Sequence, residues 1–265
     1  MAESDLQAYY ARDEERERLS AGVGRVEFLR TLEVASRSLP AAPAVVADIG
    51  GGPGRYTDWL VDAGYTVIHR DLVAGHVEQV RSRHAQRVDT AVGDARALDL
   101  ADDSVDAVLL LGPLYHLENP TDRIRALSEA RRVVRGRGVV YVAAISRWAA
   151  RLHGMLVEHT HLKHPTIVEM IDEMEATGEM RPIHDNSFNG YAHTPDQLRE
   201  EVQRSGLDLE SCVALEGISF ALSDLDQRLD DPDERQLLLD TLRALEPVTE
   251  LLGLGPHLLA TARKS

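Results

Sequence analysis

The stretch Val45-Val46-Ala47-Asp48-Ile49-Gly50-Gly51-Gly52-Pro53-Gly54-Arg55 is an apolar run that passes into a glycine loop and then into a helix start. Glycine has no Cβ, so a loop built from it lets a ligand approach the backbone closely, and free N–H groups at a helix start face an anionic ligand group. This is the chemistry of binding a nucleoside-bearing cofactor. Thr66-Val67-Ile68-His69-Arg70-Asp71 reads as a second strand ending in an acid, 23 residues beyond Asp48, where a carboxylate accepts the ribose hydroxyls. Asp71 is therefore the expected ribose ligand. A dinucleotide loop would read G-x-G-x-x-G, yet Gly50 and Gly52 are followed by Arg55 at the third place, and Gly54 comes one residue early. That spacing, and the lack of a Tyr-x-x-x-Lys pair, disfavour a nucleotide-dependent oxidoreductase.

The D-x-G-x-G-x-G pattern from Asp48 to Gly54 resembles motif I of the class I S-adenosylmethionine-dependent methyltransferases, and later segments agree in order. Val88 to Ala95 reads as a third strand ending in Asp94, Ser104 to Leu117 is apolar enough for a strand buried on both faces, and a helical stretch from Asp122 to Val134 leads through Arg135-Gly136-Arg137-Gly138 to a strand over Val139 to Ile145. The resemblance covers roughly residues 40–146. It implies a doubly wound, mostly parallel, seven-stranded Rossmann-like sheet with helices on both faces, and S-adenosylmethionine as cofactor. By the same resemblance Asp48, Gly50, Gly51, Gly52, Asp71, Leu72, Asp94, Ala95 and Leu111 face the cofactor, with Asp94 accepting from the adenine amino group.

Methyl transfer from a sulfonium is an in-line displacement, so positioning supplies much of the rate. For a hydroxyl acceptor a general base helps. His116, just after the fourth strand, is the first candidate, with Tyr191 and His193 second. The alternative for His116 is packing against the cofactor. Gly112-Pro113-Leu114-Tyr115 only faintly resembles the N/D-P-P-Y signature of nucleic-acid amino-methyltransferases, lacking its leading Asn or Asp. A small-molecule acceptor (O, N or C) is the expectation. Protein or RNA methylation and a non-catalytic cofactor-binding module are the alternatives.

These residues need elements to hold them. Residues 1–40 form an expected helical cap with a helix from Arg25 to Ser38. From it Tyr9, Tyr10, Arg18, Arg25 and Glu27 are candidates to reach the pocket, Tyr10 and Arg25 being taken as cofactor contacts and an Arg as partner of the methionine carboxylate. The plainer reading is a solvated face with Arg12–Glu15 and Glu14–Arg18 pairs. Residues 41–146 are the cofactor-binding core. Residues 147–193 hold six of eleven histidines and four of five methionines and read as a substrate lid, with helices around Trp148–His159 and Pro165–Thr177. The alternative is a helical insertion with core-packing methionines. His159-Thr160-His161-Leu162-Lys163-His164 lacks metal-ligand spacing, so no metal is expected. Residues 194–265 complete a single domain, with a capped helix from Thr194 to about Ser205, strands near Leu207–Leu215 and His257–Arg263, and a helix over Asp233–Leu245.

With 265 residues and 43% hydrophobic content the chain can bury one α/β core. A net charge of −15 argues against a phosphate-tracking nucleic-acid binder. One cysteine excludes an internal disulfide and fits a reducing compartment. Neither a signal peptide nor a membrane span is legible, which points to the cytoplasm.

Overall fold

The computed structural model describes residues 15–182 and 189–265; Tyr9, Tyr10, Arg12, Glu14 and His184 lie outside them. After a short turn at Glu15–Arg18, α1 (Gly22–Ser36) leads to β1 (Val45–Ile49), α2 (Arg55–Asp62), β2 (Thr66–Asp71), α3 (Ala74–His84), β3 (Val88–Val92) and β4 (Val105–Leu110). A 3-10 turn (Pro113–His116) precedes α4 (Pro120–Val133) and β5 (Val134–Ser146). A π-helical segment (Ala150–Met155) and the turn Thr160–Lys163 come before α5 (Ile167–Thr177), β6 (Glu179–Met180) and β7 (Gly190–His193). The chain ends with α6 (Pro195–Arg204), β8 (Asp208–Ala214), α7 (Leu225–Asp230), α8 (Pro232–Leu245) and β9 (His257–Arg263).

The sheet runs β3-β2-β1-β4-β5, all parallel, with β9 antiparallel to β5 and β8 antiparallel to β9. These are the seven expected strands. Among the described residues the sheet has nine, because the segment after β5 adds β6 and β7. Ile145 pairs with His257 of β9 on one side and Ala192 of β7 on the other, so β7 lies on the β4 side of β5, beyond the point where β4 ends at Leu110. β5 starts at Val134 rather than Val139, its added residues reached through an irregularity in register against β4.

Alternation along the strands divides the core between the two faces. Ala47, Ile49, Val108, Leu110, Val140 and Val142 pack with Ala126, Leu127 and Ala130 of α4 and with Leu198 and Val202 of α6. Val46, Ala107, Leu109 and Tyr141 face the other way, onto Val34 and Ala35 of α1 and Tyr56 and Leu60 of α2. The α1 helix is fixed further by polar contacts. Tyr141 Oη donates to the Ala35 carbonyl at 2.9 Å, and buried Arg30 pairs with Glu33 and with Glu246. Cys212 packs in the first core face, where burial pushes its thiol up to about 11. Among the described residues no helix is long and apolar enough to cross a membrane.

Helical boundaries differ from the sequence expectation: α1 starts at Gly22 rather than Arg25, α4 at Pro120 rather than Asp122, and the segment after β5 departs further. The stretch expected as a helix over Trp148–His159 is a π-helical segment at Ala150–Met155, and His159, with a left-handed φ of 53°, precedes the short helical turn Thr160–Lys163. The α5 helix starts at Ile167 because Pro165 and Thr166 form the entering turn.

Candidate functional site

The loop after β1 is closed over a buried acid. The Gly50 N–H donates to the Arg70 carbonyl of β2 at 2.7 Å, and Gly54 N–H returns to the Gly51 carbonyl at 3.0 Å. Gly54, in the left-handed region, then caps α2. Gly50 has φ +67°, and a Cβ there would meet the Pro113 ring at 2.6 Å, so only glycine lets the loops after β1 and β4 approach so closely. Beneath the loop Asp48 is fully buried, accepting from Thr57 Oγ1 at 2.7 Å while its Oδ1 has no partner among the described residues. Burial pushes the Asp48 carboxyl up, against the pull of His69 and Thr57.

Two further acids stand at the carboxyl ends of successive strands. Asp71 Oδ2 accepts from Gly52 N–H at 2.8 Å and Oδ1 from Val73 N–H at 2.8 Å, with His76 Nδ1 at 3.1 Å. Burial raises its carboxyl, but His76 and the two backbone donors outweigh that and hold it below the usual range. Asp94 is gripped by Arg96, whose guanidinium also reaches Asp122 at 2.9 Å. Burial again raises the Asp94 carboxyl and Arg96 lowers it further.

These groups wall one cleft of about 710 Å³ along the carboxyl edge of the sheet, formed by Gly50, Gly52, Asp71, Leu72, Asp94, Ala95, Gly112, Pro113, Tyr115 and His116, among others. That edge is where open α/β sheets bind ligands. A second cavity of about 440 Å³ shares Gly50, Gly52, Gly112 and Tyr115 and extends past Asp48, Gly51 and Leu111 to Arg18 and Glu27. Arg18 donates to Glu27 at 2.5 and 3.2 Å. His116 sits on the cleft wall with its ring 4.7 Å from that of Tyr115. Burial lowers it to about 4, against a small opposing pull from Asp71, so the imidazole is neutral at neutral pH.

The structure thus brings together Asp48, Gly50, Gly51, Gly52, Asp71, Leu72, Asp94, Ala95, Leu111 and His116, and it places three other candidates elsewhere. Arg25 turns outward along α1 to Asp230 at 2.6 Å and the Leu229 carbonyl; on a helix its side chain lies away from the face that carries Glu27 to the cavity. His193 is fully buried and bonds Glu201 at 3.1 Å. The Tyr191 ring lies 3.7 Å from the Arg123 guanidinium and 5.5 Å from that of Arg147. Both are engaged in the network that ties β7 to α4 and α6. Tyr10 lies outside the described residues. Among the described residues the segment 147–193 lines neither cavity. Its His153, Val157 and Glu158 instead border a broad groove of about 1060 Å³ with Phe220 and the start of α1. Of its methionines Met174 is buried, while Met155, Met170 and Met180 are half-buried.

Several supporting residues were not singled out from the sequence. His69 bridges Thr90 Oγ1 at 2.9 Å and the Gly52 carbonyl at 3.0 Å. Thr57, His76 and Arg96 each engage one of the three acids. The only cue is proximity in sequence to an acid, as in Arg96 two residues after Asp94. Nothing in the linear pattern links Glu216 and His257 to Glu27, yet the three converge, their ligand-type atoms within 4.8 Å of one another.

Residues 47–142 match the family model described as a methyltransferase domain. The core is a class I S-adenosylmethionine-dependent methyltransferase domain. An uncharacterized methyltransferase of Mycobacterium tuberculosis is 37% identical over 100 residues, 38% of this chain and 39% of that protein. A demethylmenaquinone methyltransferase of Renibacterium salmoninarum is 35% identical over 101 residues, 38% of this chain and 41% of that protein. The matched part thus spans about two-fifths of the curated relatives' length. The whole fold is similar to that of the 1,6-didemethyltoxoflavin-N1-methyltransferase of Burkholderia thailandensis, solved with bound 1,6-didemethyltoxoflavin and S-adenosylhomocysteine, at a TM-score of 0.60 and 17% identity over 99% of this chain and 87% of that chain. In this methyltransferase domain the matched residues stop at Val142, so the segment 147–193 and the C-terminal strands lie beyond the family model.

Proposed function

We propose that the protein transfers the methyl group of S-adenosylmethionine to a small-molecule acceptor at O, N or C. The carrying observation is the cleft in which Asp71 and Asp94, on successive strand ends, face the glycine loop. In this reading Asp71 takes the ribose hydroxyls, Asp94 the adenine amino group, and Leu72 and Ala95 line the adenine. Gly50, Gly51 and Gly52, with Asp48 beneath and Leu111 beside them, cradle the methionine end. The fit is supported by Gly52, where among the described residues a Cβ at φ +57° would meet nothing within 4 Å, and by the buried Asp48 Oδ1, which has no partner among them.

The cofactor supplies an electrophilic methyl group on a positively charged sulfur. The chain's own residues bind, orient and exclude water, with proximity and orientation worth up to ~7–11 kcal/mol in favourable intramolecular cases. His116, neutral and on the wall, is the candidate to hold a proton. The small-molecule reading draws on the relative named for demethylmenaquinone and on the toxoflavin-type structure, and on the net charge of −15. Calorimetric titration with S-adenosylhomocysteine and with NADH tests the cofactor, and binding of NADH alone rejects the reading. Incubation with labelled S-adenosylmethionine and a cell extract, separated into small molecules, protein and RNA, tests the acceptor. Label in protein or RNA alone rejects the small-molecule class.

A further inference from the structure

Glu27, Glu216 and His257 come from α1, from just beyond β8 and from the first residue of β9, places far apart in the chain. His257 Nδ1 lies 2.5 Å from Glu216 Oε1 and 3.5 Å from Glu27 Oε2. Glu216 also accepts from the His257 backbone N–H at 3.0 Å. Both carboxylates are buried, which is costly unless their charge is compensated; Arg18 and His257 compensate it. Glu27 is at the same time a wall of the cavity that shares the glycine loop, Gly112 and Tyr115 with the main cleft. His257 pairs with Ile145 at the carboxyl end of β5, the ligand-binding edge.

A divalent ion fits this arrangement poorly. Donor atoms on one ion with bonds of about 2.0–2.2 Å stand roughly 3 Å apart, wider than the His257–Glu216 separation of 2.5 Å, and Arg18 already occupies Glu27. The arrangement suits a proton.

We propose that Glu27, backed by His257 and Glu216, is the proton-accepting side of the methyl-transfer site. The inference rests on the methyltransferase reading above and adds that the acceptor is protic, an N–H or O–H. The acceptor atom forms a bond to the methyl carbon as the carbon–sulfur bond breaks and its electron pair stays on sulfur. The acceptor's proton passes to the Glu27 carboxylate, which becomes a neutral carboxyl beside the His257–Glu216 pair. The charged groups facing His257 are Glu27, Glu216 and Arg18; burial lowers the imidazole, and the two carboxylates outweigh it and raise it above its ordinary value.

The test uses the full chain labelled with ¹⁵N-histidine, with His257→Gln to assign the resonance. His257 is expected to titrate above the ordinary histidine value, to fall in Glu27→Gln and in Glu216→Gln, and to shift when S-adenosylhomocysteine saturates the cleft. A His257 resonance indifferent to Glu27→Gln and to S-adenosylhomocysteine overturns the proposal, as does a titration that changes on dialysis against a chelator. In parallel, the rate of label transfer into the extract should drop about 100-fold in Glu27→Gln and lose its ascending pH limb, with S-adenosylhomocysteine affinity within threefold of the parent. An unchanged rate profile overturns it too. Absence of transfer by the parent protein rejects the methyltransferase reading instead, and the histidine titration still decides whether the cluster senses the cleft. If Glu216→Gln fails to fold, Glu27→Gln carries the test.

Discussion

At the scale of single residues, two adjacent glycines separate folding from binding. A Cβ on Gly51 would meet the Asp48 carboxyl at 2.6 Å and the His69 ring at 2.7 Å, both buried, whereas one on Gly52 meets nothing. Gly51→Ala is therefore expected to cost about 1–3 kcal/mol of stability through overpacking, read as a lower Tm. Gly52→Ala, strained by ~1–2 kcal/mol at its positive φ, is expected to lose S-adenosylhomocysteine affinity more than stability, in paired calorimetry and melting curves. Asp71→Ala should weaken that affinity by roughly 1–3 kcal/mol, and unchanged binding would move the ribose site elsewhere. His116→Ala should lower turnover if the imidazole acts as a base. Because burial holds His116 at about 4 rather than 6.5, the limb it governs should lie near pH 4, and a limb near 6.5 that survives in His116→Ala belongs to another group.

At the scale of elements, the strand β7, where the segment after β5 rejoins the sheet, is held by a buried ion pair. Arg123 of α4 donates to Glu201 of α6 at 2.7 to 3.0 Å and to the Leu117 and Glu118 carbonyls, while Glu201 also holds His193. Arg123→Met leaves Glu201 buried without its cation and should cost about 3–5 kcal/mol, measured by denaturant unfolding; a cost below 1 kcal/mol would show the pair to be solvated. The Thr194 capping box with Gln197 predicts ~0.5–2 kcal/mol lost in Thr194→Ala. That cap was legible in Thr194-Pro195-Asp196-Gln197, as were the strands, whose apolar runs end in Asp48, Asp71 and near Asp94. Local signals carry such elements. The partners of the acids were not legible, because His69, His76 and Thr57 meet them only once the strands stand side by side. For the same reason His193 looked free in the sequence: only the packing of α4 against α6 brings Arg123 and Glu201 to it.

For the whole molecule, histidines of opposite character shape the pH dependence of stability. His257 is raised above its ordinary 6.5, so its contribution is fully present below about 6.5 and is lost as pH rises through the folded value. His116 and His193 are lowered, chiefly by burial, so theirs is present above about 6.5 and is lost as pH falls, toward about 4 for His116. Melting curves should therefore decline on both sides of the histidine range, and His257→Gln should flatten only the alkaline side. A variant that flattens the acid side instead would reverse the assignment. One feature of the fold reaches further. Arg147 N–H donates to the His193 carbonyl at 2.8 Å, and its guanidinium reaches the Ala192 and Glu175 carbonyls and Gln197 Oε1. The segment between leaves the sheet and returns to it at one stapled point. It is thus a cassette: the chain inside can be shortened or exchanged for another without altering how the sheet is strung. A graft of an unrelated insertion between Trp148 and Gly190 should retain cofactor affinity in calorimetric titration, because among the described residues that span lines neither cavity at the cofactor edge; loss of affinity would show the span to be part of the cleft.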